Sequence, residues 1–437
     1  MKNVREIALT LLLEYEGQGK YINLSLNSAL TAGLSAEEKR FLTALLYTTV
    51  EKKITYDYYI SSLSGRSIDS VTERAKNILR LGFCQLFGMN GIPEYAAVNE
   101  TVKLAGNKGE RAFVNGVLRR ALREKDNLPL PKREKNIARY LSVRYSFPLP
   151  TVKHFIGMLG EEECEKLLVK FSEISPTDIT VNTLRISADA YLEKLRELGY
   201  NAEKSPLAEN SVRIFASVDP RGLPGFSEGE FFVQDASCLF AVNVLSPKPK
   251  SSLADVCAAP GGKSLAAAIS MADEGEIYSF DIHENKLSLI EASAEKLGLK
   301  SIKTAPRDAK TPDSALFDKM DFVICDVPCS GLGVLAKKPD LRYKSEDSMK
   351  ELPALQYDIL KASSKYLKRG GRLLYSTCTL NRAENEDVVL KFTENNPEFK
   401  LIPFNFGGIN AEGGFVTLYP HIHGTDGFFI SLIEREK

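Results

Sequence analysis

The chain has 437 residues, of which 43% are hydrophobic and 26% charged. This excludes a disordered or fibrous chain and predicts a globular protein of two or three domains. Net charge is zero but unevenly spread: residues 1–150 carry 23 Lys and Arg against 15 Asp and Glu, a net of +8, and the remainder 34 against 42, a net of −8. A basic half joined to an acidic half fits a polyanion-binding module attached to an enzyme, and it also fits a chance asymmetry.

The first apolar run, Ala8–Leu13, follows Lys2, Arg5 and Glu6 and leads into Glu14 and Glu16. It is too short to cross a membrane and reads as an amphipathic helix, so neither a signal peptide nor an anchor is expected. Residues 1–125 look all-helical, with apolar positions at three- and four-residue steps in "NVREIALTLLLEY", "EEKRFLTALLYTTV" and "VTERAKNILRLGFCQLF". After Pro93 comes "AAVNETVKLAGNKGERAFVNGVLRRALREK", where Lys103, Lys108, Arg111, Arg119, Arg120 and Arg123 read singly as a solvated face. Together they would offer a phosphate-binding surface with steep salt dependence. Residues 126–150 hold four prolines among basic residues and form the best linker candidate.

From about 151 to 229 the chain reads as a small α/β unit. It has helices at "TVKHFIGMLG", "EEECEKLLVKF" and "ADAYLEKLRELG", and strands at "DITVNTL" and near "SVRIFA". From about 230 the rhythm becomes strand–loop–helix. The strands "SLADVCA", "EIYSFDI", "SIKTAPRD", "DFVICDV" and "GRLLYSTC" alternate with helical segments, which predicts a mostly parallel sheet with helices on both faces. The runs "GGFVTLYP" and "GFFISLIERE" read as an antiparallel terminal hairpin. The fold class is α/β.

In such sheets ligands bind at the carboxyl ends of the strands. The segment "DVCAAPGGKS", 255–264, runs from strand through a Gly-rich loop into a helix. A phosphate loop needs Gly where Cys257 stands, and a dinucleotide fingerprint needs a third glycine beyond Gly261 and Gly262. A nucleoside loop for S-adenosylmethionine, which has no phosphates, needs close backbone approach instead. Cys257, Ala258, Ala259, Pro260, Gly261, Gly262 and Lys263 are the candidate residues. Asp281 ends the second strand, where a carboxylate can accept both ribose hydroxyls. Asp308 and Asp326 end the third and fourth strands, and three acids bordering one cleft are more than helix caps require.

The seven cysteines are odd in number and lack framework spacing, which favours reduced thiols in a cytoplasmic protein. Cys325 and Cys84 read as buried apolar filler. Cys329, after Asp326-Val327-Pro328, and Cys378, ending the fifth strand, would lie over one cleft. Filler, a metal site and chemistry compete for this pair. Cys325, Cys329 and Cys378 lack a fourth ligand at finger-like spacing, and His421 and His423 lie far away in sequence. The chemical alternative is methylation of cytosine C5, a poor nucleophile. A thiolate adding to C6 makes C5 carbanion-like, an acid such as Asp326 assists at N3, and a second thiol helps release the product. Enzymes that methylate exocyclic amines often carry Pro-Pro-aromatic at this fourth-strand position, whereas Pro328-Cys329 argues for carbon chemistry.

The motifs "DVCAAPGGK", "CDVPCSGLG" and "YSTCTLNRAENE" resemble those of the bacterial Fmu/Sun-type 16S rRNA cytosine-C5 methyltransferases, within the NOL1/NOP2/Sun RNA methyltransferase family. "FFVQDASC" resembles that family's entry to the catalytic domain, and "AAVNETVKLA" with "FVNGVLRRA" resembles its NusB-like helical domain. The resemblance spans nearly the whole chain. It implies a NusB-like RNA-binding domain over 1–128, a linker and small α/β domain over 129–229, and a Rossmann-like class I methyltransferase domain over 230–437. It implies S-adenosylmethionine as cofactor, held by Cys257 to Lys263 with Asp281, Asp308 and Asp326. Cys378 would be the attacking thiolate and Cys329 the residue that aids release. Thr379 replaces the serine common after the nucleophile and keeps the hydroxyl. In "LAKKPDLRYK", Lys337, Lys338 and Arg342 would face RNA, or form an exposed basic loop.

The expected activity is methyl transfer to a cytosine C5 of small-subunit ribosomal RNA, by a cytoplasmic monomer using no metal and no membrane. The rivals are a transfer RNA cytosine methyltransferase, a non-catalytic RNA-binding assembly factor and, disfavoured by the missing glycine, a nicotinamide dehydrogenase.

Overall fold

The computed structural model describes residues 3–18, 26, 33–216, 218–344 and 349–436. The chain forms two compact units: Met1–Ser172 with Lys338–Tyr343, and Glu173–Lys337 with Lys344–Lys437.

The first unit is helical. The three periodic segments become Val4–Gln18, Ala36–Glu51 and Glu73–Phe83, joined by Lys53–Ser64, Glu94–Lys103 and Lys108–Arg123. Ser35 starts the second of these with a capping box: its Oγ accepts from Glu38 N–H, and the Glu38 carboxylate accepts from Ser35 N–H. Leu42, Leu45, Leu46, Ile60, Ile78, Leu79 and Leu118 fill the core. Arg80 is buried there because Asp57 takes it bidentately at 2.6 and 2.8 Å and Glu16 takes a third N–H at 2.7 Å. The stretch expected as a linker carries a helix, Ile137–Tyr145, which buries Ala138, Leu141 and Val143 while its arginines point away. Helices Leu149–Leu159 and Glu161–Phe171 also belong to this unit. Lys103, Lys108, Arg111, Arg119, Arg120 and Arg123 are all exposed.

Arg342 corrects an expectation. It does not face outward to meet RNA: it is 2% exposed. Its guanidinium lies 3.9 Å from the Phe147 ring centre and donates to the carbonyls of Glu51 and Ser146 at 3.2 and 3.3 Å. A planar guanidinium stacks on an aromatic ring and can be buried there, and spacing in sequence does not reveal that partner.

The second unit holds two main sheets. The smaller contains β1 (Thr177–Val181), β2 (Ala202–Lys204), β3 (Ser211–Ile214) and β4 (Phe231–Val233), antiparallel in the order β2-β3-β1-β4. Helix Ala188–Glu197 covers it through Tyr191, Leu192 and Leu195. The entry segment "FFVQDASC" therefore contributes its first three residues to this smaller sheet.

The larger sheet contains β5 (Ser251–Asp255), β6 (Gly275–Asp281), β7 (Ile302–Pro306), β8 (Met320–Asp326), β9 (Leu367–Thr377), β10 (Phe399–Leu401), β13 (Phe415–Leu418) and β14 (Phe428–Arg435). A separate hairpin, β11 (Phe404–Phe406) with β12 (Ile409–Ala411), precedes β13. The order is β10-β14-β9-β8-β5-β6-β7, with β13 also paired to β14. Strands β9, β8, β5, β6 and β7 are parallel; β14 runs antiparallel to β9, β10 and β13. This is the mostly parallel sheet with an antiparallel terminal hairpin that the sequence predicts. The chain reverses direction across the sheet between β5 and β8, and that switch point is where such folds open a ligand crevice.

Candidate active site

The carboxyl ends of β5, β6, β8 and β9 carry the residues of interest. After β5 the loop turns at Gly261, whose φ of +107° is favoured by glycine and whose Cβ would press on Ile290 at 3.1 Å. A Cβ on Gly262 would meet Gln234 Nε2 at 2.9 Å. Helix Gly262–Ser270 begins there. Asp281, ending β6, fixes this loop: one carboxylate oxygen accepts from Ala259 N–H at 3.2 Å and the other from His283 N–H at 2.9 Å. Asp308 lies just past β7 and accepts from Lys310 N–H at 2.9 Å. Burial holds the Cys257 thiol well above its usual range, so it is a neutral part of the loop.

Asp326, ending β8, binds two groups. Its Oδ2 pairs with Lys263 Nζ at 2.6 Å and its Oδ1 accepts from Ser376 Oγ at 2.8 Å. Burial opposes the charge on Lys263, and Asp326 outweighs it, holding the ammonium above its usual pKa. Lys263 also lies 4.9 Å from the Phe428 ring centre and reaches the Cys238 sulfur at 3.7 Å. Cys329 and Cys378 meet with their sulfurs 3.2 Å apart. The hydrogen bond to Cys378, followed by burial, raises the Cys329 thiol well above its usual range. Cys325 and Cys84 are fully buried, as expected of filler. Among the described residues no cluster of His, Cys, Asp and Glu is arranged to hold a metal, and no helix is long and apolar enough to cross a membrane.

A scan against family models matches residues 242–434 to "16S rRNA methyltransferase RsmB/F", residues 2–123 to the NusB family, and residues 149–220 to the ferredoxin-like domain of RsmF/B-like methyltransferases. A Bacillus subtilis (strain 168) protein named "Probable ribosomal RNA small subunit methyltransferase B" is 34% identical over 99% of both chains. The chain belongs to the RsmB/F family. A Synechocystis sp. protein of the same name is 34% identical over 100% of both chains. The solved structure of PH0851 superposes with a TM-score of 0.79 at 26% identity, covering 100% of this chain and 99% of that one. As an RsmB/F member the chain is an S-adenosylmethionine-dependent rRNA methyltransferase.

The loop residues fit such a cofactor. Glycine is required at 261 and 262, where a Cβ would press on Ile290 and Gln234, and two strand-end acids are tied to this segment, Asp281 through Ala259 N–H and Asp326 through Lys263. Four further features escape sequence reading. Asp255 is fully buried at the end of β5, bonded to Ser264 Oγ at 2.7 Å; burial pushes its pKa up to about 7. Lys337 is not a free RNA-facing cation, because Asp235 and Asp426 hold it at 2.6 and 2.9 Å. Gly333 and Gly427 touch backbone to backbone beside the Cys378 loop, with Gly427 N–H donating to Gly333 O at 2.8 Å. Glu384, quoted within a motif but assigned no role, is fully buried beneath both cysteine loops. The signal available for it was an acid six residues after Cys378, at a position polar enough to cap and too short in spacing to reveal burial.

Proposed function

We propose that this enzyme methylates C5 of a cytosine in 16S ribosomal RNA through a covalent bond between Cys378 and C6. The observation that carries the reading is the pair of sulfurs 3.2 Å apart beside the Asp326–Lys263 ion pair. Cys378, as thiolate, adds to C6, and the proton shared by Lys263 and Asp326 supports N3 as electrons move into the ring. S-adenosylmethionine, held by Cys257 to Lys263 with Asp281, Asp308 and Asp326, supplies an electrophilic methyl group.

Once the Cys378 sulfur is bonded to carbon it carries no charge, and the hydrogen bond to it that held the Cys329 proton is weakened along with the lesser charge repulsion. Cys329 can then give its proton to solvent and act as the base that removes the C5 proton. The C5–H electrons re-form the C5–C6 double bond, and the Cys378–C6 bond breaks. The target base must leave its stack to reach these groups. The exposed basic face of the helical unit supports a role in holding the RNA backbone, while the cysteine cleft selects the base.

The test is incubation of the enzyme with labelled cofactor and unmodified 16S rRNA, followed by mapping of 5-methylcytosine. Label on an exocyclic nitrogen or a ribose oxygen would refute the carbon chemistry, and label on transfer RNA alone would refute the substrate.

A further inference from the structure

We propose that Glu384 is a positioning residue whose carboxylate clamps the Cys329 loop to the Cys378 loop. This rests on the two-thiol reading above only for its catalytic consequence. The carboxylate is fully buried and meets three donors. Oε2 accepts from Ser330 N–H at 2.8 Å, one residue past Cys329, and from Gln356 Nε2 at 3.0 Å. Oε1 accepts from Asn381 Nδ2 at 3.0 Å, three residues past Cys378. Gln356 Nε2 also donates to Pro328 O at 2.8 Å, so one amide spans the carboxylate and the residue before Cys329. The Ser330 and Thr379 hydroxyls, each adjacent to a cysteine, share a hydrogen bond of 2.6 Å. Tyr375 Oη donates to Glu384 O at 2.7 Å and fixes the clamp to β9.

A buried carboxylate is retained only where its oxygens are met. Two of the three donors, Ser330 N–H and Asn381 Nδ2, come from the segments that flank the two sulfurs, and the third, Gln356 of helix Leu352–Ser363, also binds the residue before Cys329. The parallel pairing of β8 and β9 ends before either cysteine, at Asp326 and Ser376. Beyond that level the loops need another tie, and Glu384 supplies one. Glutamine at 384 keeps one oxygen for Ser330 and Gln356 but turns a donor toward Asn381. Alanine removes all three acceptors.

Cross-linking of the resting enzyme by diamide reads the clamp. Two S–H bonds break, one S–S bond forms, and diamide is reduced to its hydrazine. The Cys329–Cys378 disulfide, identified by peptide mass, is expected to form quickly in the wild type. It should form about tenfold more slowly in Glu384→Ala, with Glu384→Gln between them. Methyl transfer should show the same order, with kcat down about 10²-fold in Glu384→Ala and the KM for RNA and cofactor little changed. A Glu384→Gln variant indistinguishable from Glu384→Ala, or either variant matching wild type in both cross-linking and kcat, would overturn the clamp. The glutamine variant serves where the alanine variant fails to fold. Absence of methyl transfer from the wild type would instead remove the proposed function and leave the cross-linking comparison standing.

Discussion

Replacing Gly333 by alanine tests whether the loop of the proposed nucleophile, Cys378, is held by backbone contact. An ideal Cβ at 333 would lie 1.9 Å from Gly427 O and 2.5 Å from its carbonyl carbon. Both are backbone atoms, so no rotamer change relieves the overlap. Carbon and oxygen must separate by more than about 1 Å to reach ordinary packing distance. Two hydrogen bonds carry that displacement onward. Gly427 N–H donates to Gly333 O at 2.8 Å, and Gly333 N–H donates to Cys378 O at 3.0 Å. The second runs straight to the proposed nucleophile.

Overpacking of this kind destabilises by about 1–3 kcal/mol, and a misplacement of about 1 Å at a reacting group costs about 10²-fold in rate. Gly333→Ala is therefore expected to lower single-turnover methyl transfer about 10²-fold with a modest fall in Tm. Cofactor affinity should be preserved, because the proposed cofactor loop is fixed by Asp281 from β6. Calorimetric titration of the cofactor and rapid-quench transfer measure the two quantities. A variant that keeps its rate within about threefold while folding normally would refute the transmission of the shift to Cys378.

Cys378→Ala should abolish methyl transfer, while Cys329→Ala should leave RNA covalently attached and visible on a denaturing gel; an adduct in the Cys378 variant would reverse the two roles. Lys263→Met removes one of the two groups that bind Asp326 and leaves the Ser376 hydroxyl. It should destabilise by roughly 3 kcal/mol, the low end for a broken buried pair because the Asp326 side chain is 31% exposed. Urea unfolding checks this, and a loss below about 0.5 kcal/mol, the range of an ordinary exposed pair, would show that the ion pair contributes little. Burial, then Asp235, pushes Asp426 up to about 8, far above its ordinary value of about 4. The native state keeps a proton that the unfolded chain releases, so this stabilisation is full below about pH 4 and is lost as pH rises through about 8. Asp426→Asn should flatten the decline in unfolding free energy between about pH 5 and 8, and parallel wild-type and variant curves would contradict that assignment.

Much of the catalytic sheet was legible because each strand reports on itself. The apolar runs of β5, β6, β8 and β9 end in acids or cysteines, and parallel topology puts those ends on one side. The candidate cofactor loop was legible for a similar local reason, since Gly261 and Gly262 interrupt a strand-to-helix passage. The illegible parts depend on partners distant in sequence. Phe231–Val233 reads as the start of the catalytic domain until β1 pairs with it. Lys337 reads as a solvated cation until Asp235, 102 residues away, and Asp426, 89 residues away, are seen to hold it. Arg342 reads the same way until Phe147 is found beneath it.

The same distinction explains how two sulfurs from separate motifs come to share a contact. Parallel register pairs Cys325 with Tyr375 and Asp326 with Ser376, so both chains leave the sheet at one level. Val327 N–H donates to Ser376 O at 3.2 Å as the last rung, and Ser376 Oγ reaches back to Asp326. Cys329 then lies three residues, and Cys378 two, past the last pair of that register, Asp326 with Ser376. Register fixes where the loops begin, and side-chain bonds fix where they meet. Thr377 Oγ1 donates to Asn385 Oδ1 at 2.6 Å, and Asn385 Nδ2 donates to Thr379 O at 3.0 Å, pinning the residues on either side of Cys378. Both partners are fully buried, so little rotamer freedom remains to be lost when the base arrives. The proposed nucleophile is thus held by the sheet and the groups beneath it, and under the proposed mechanism the substrate need only supply the ring carbon.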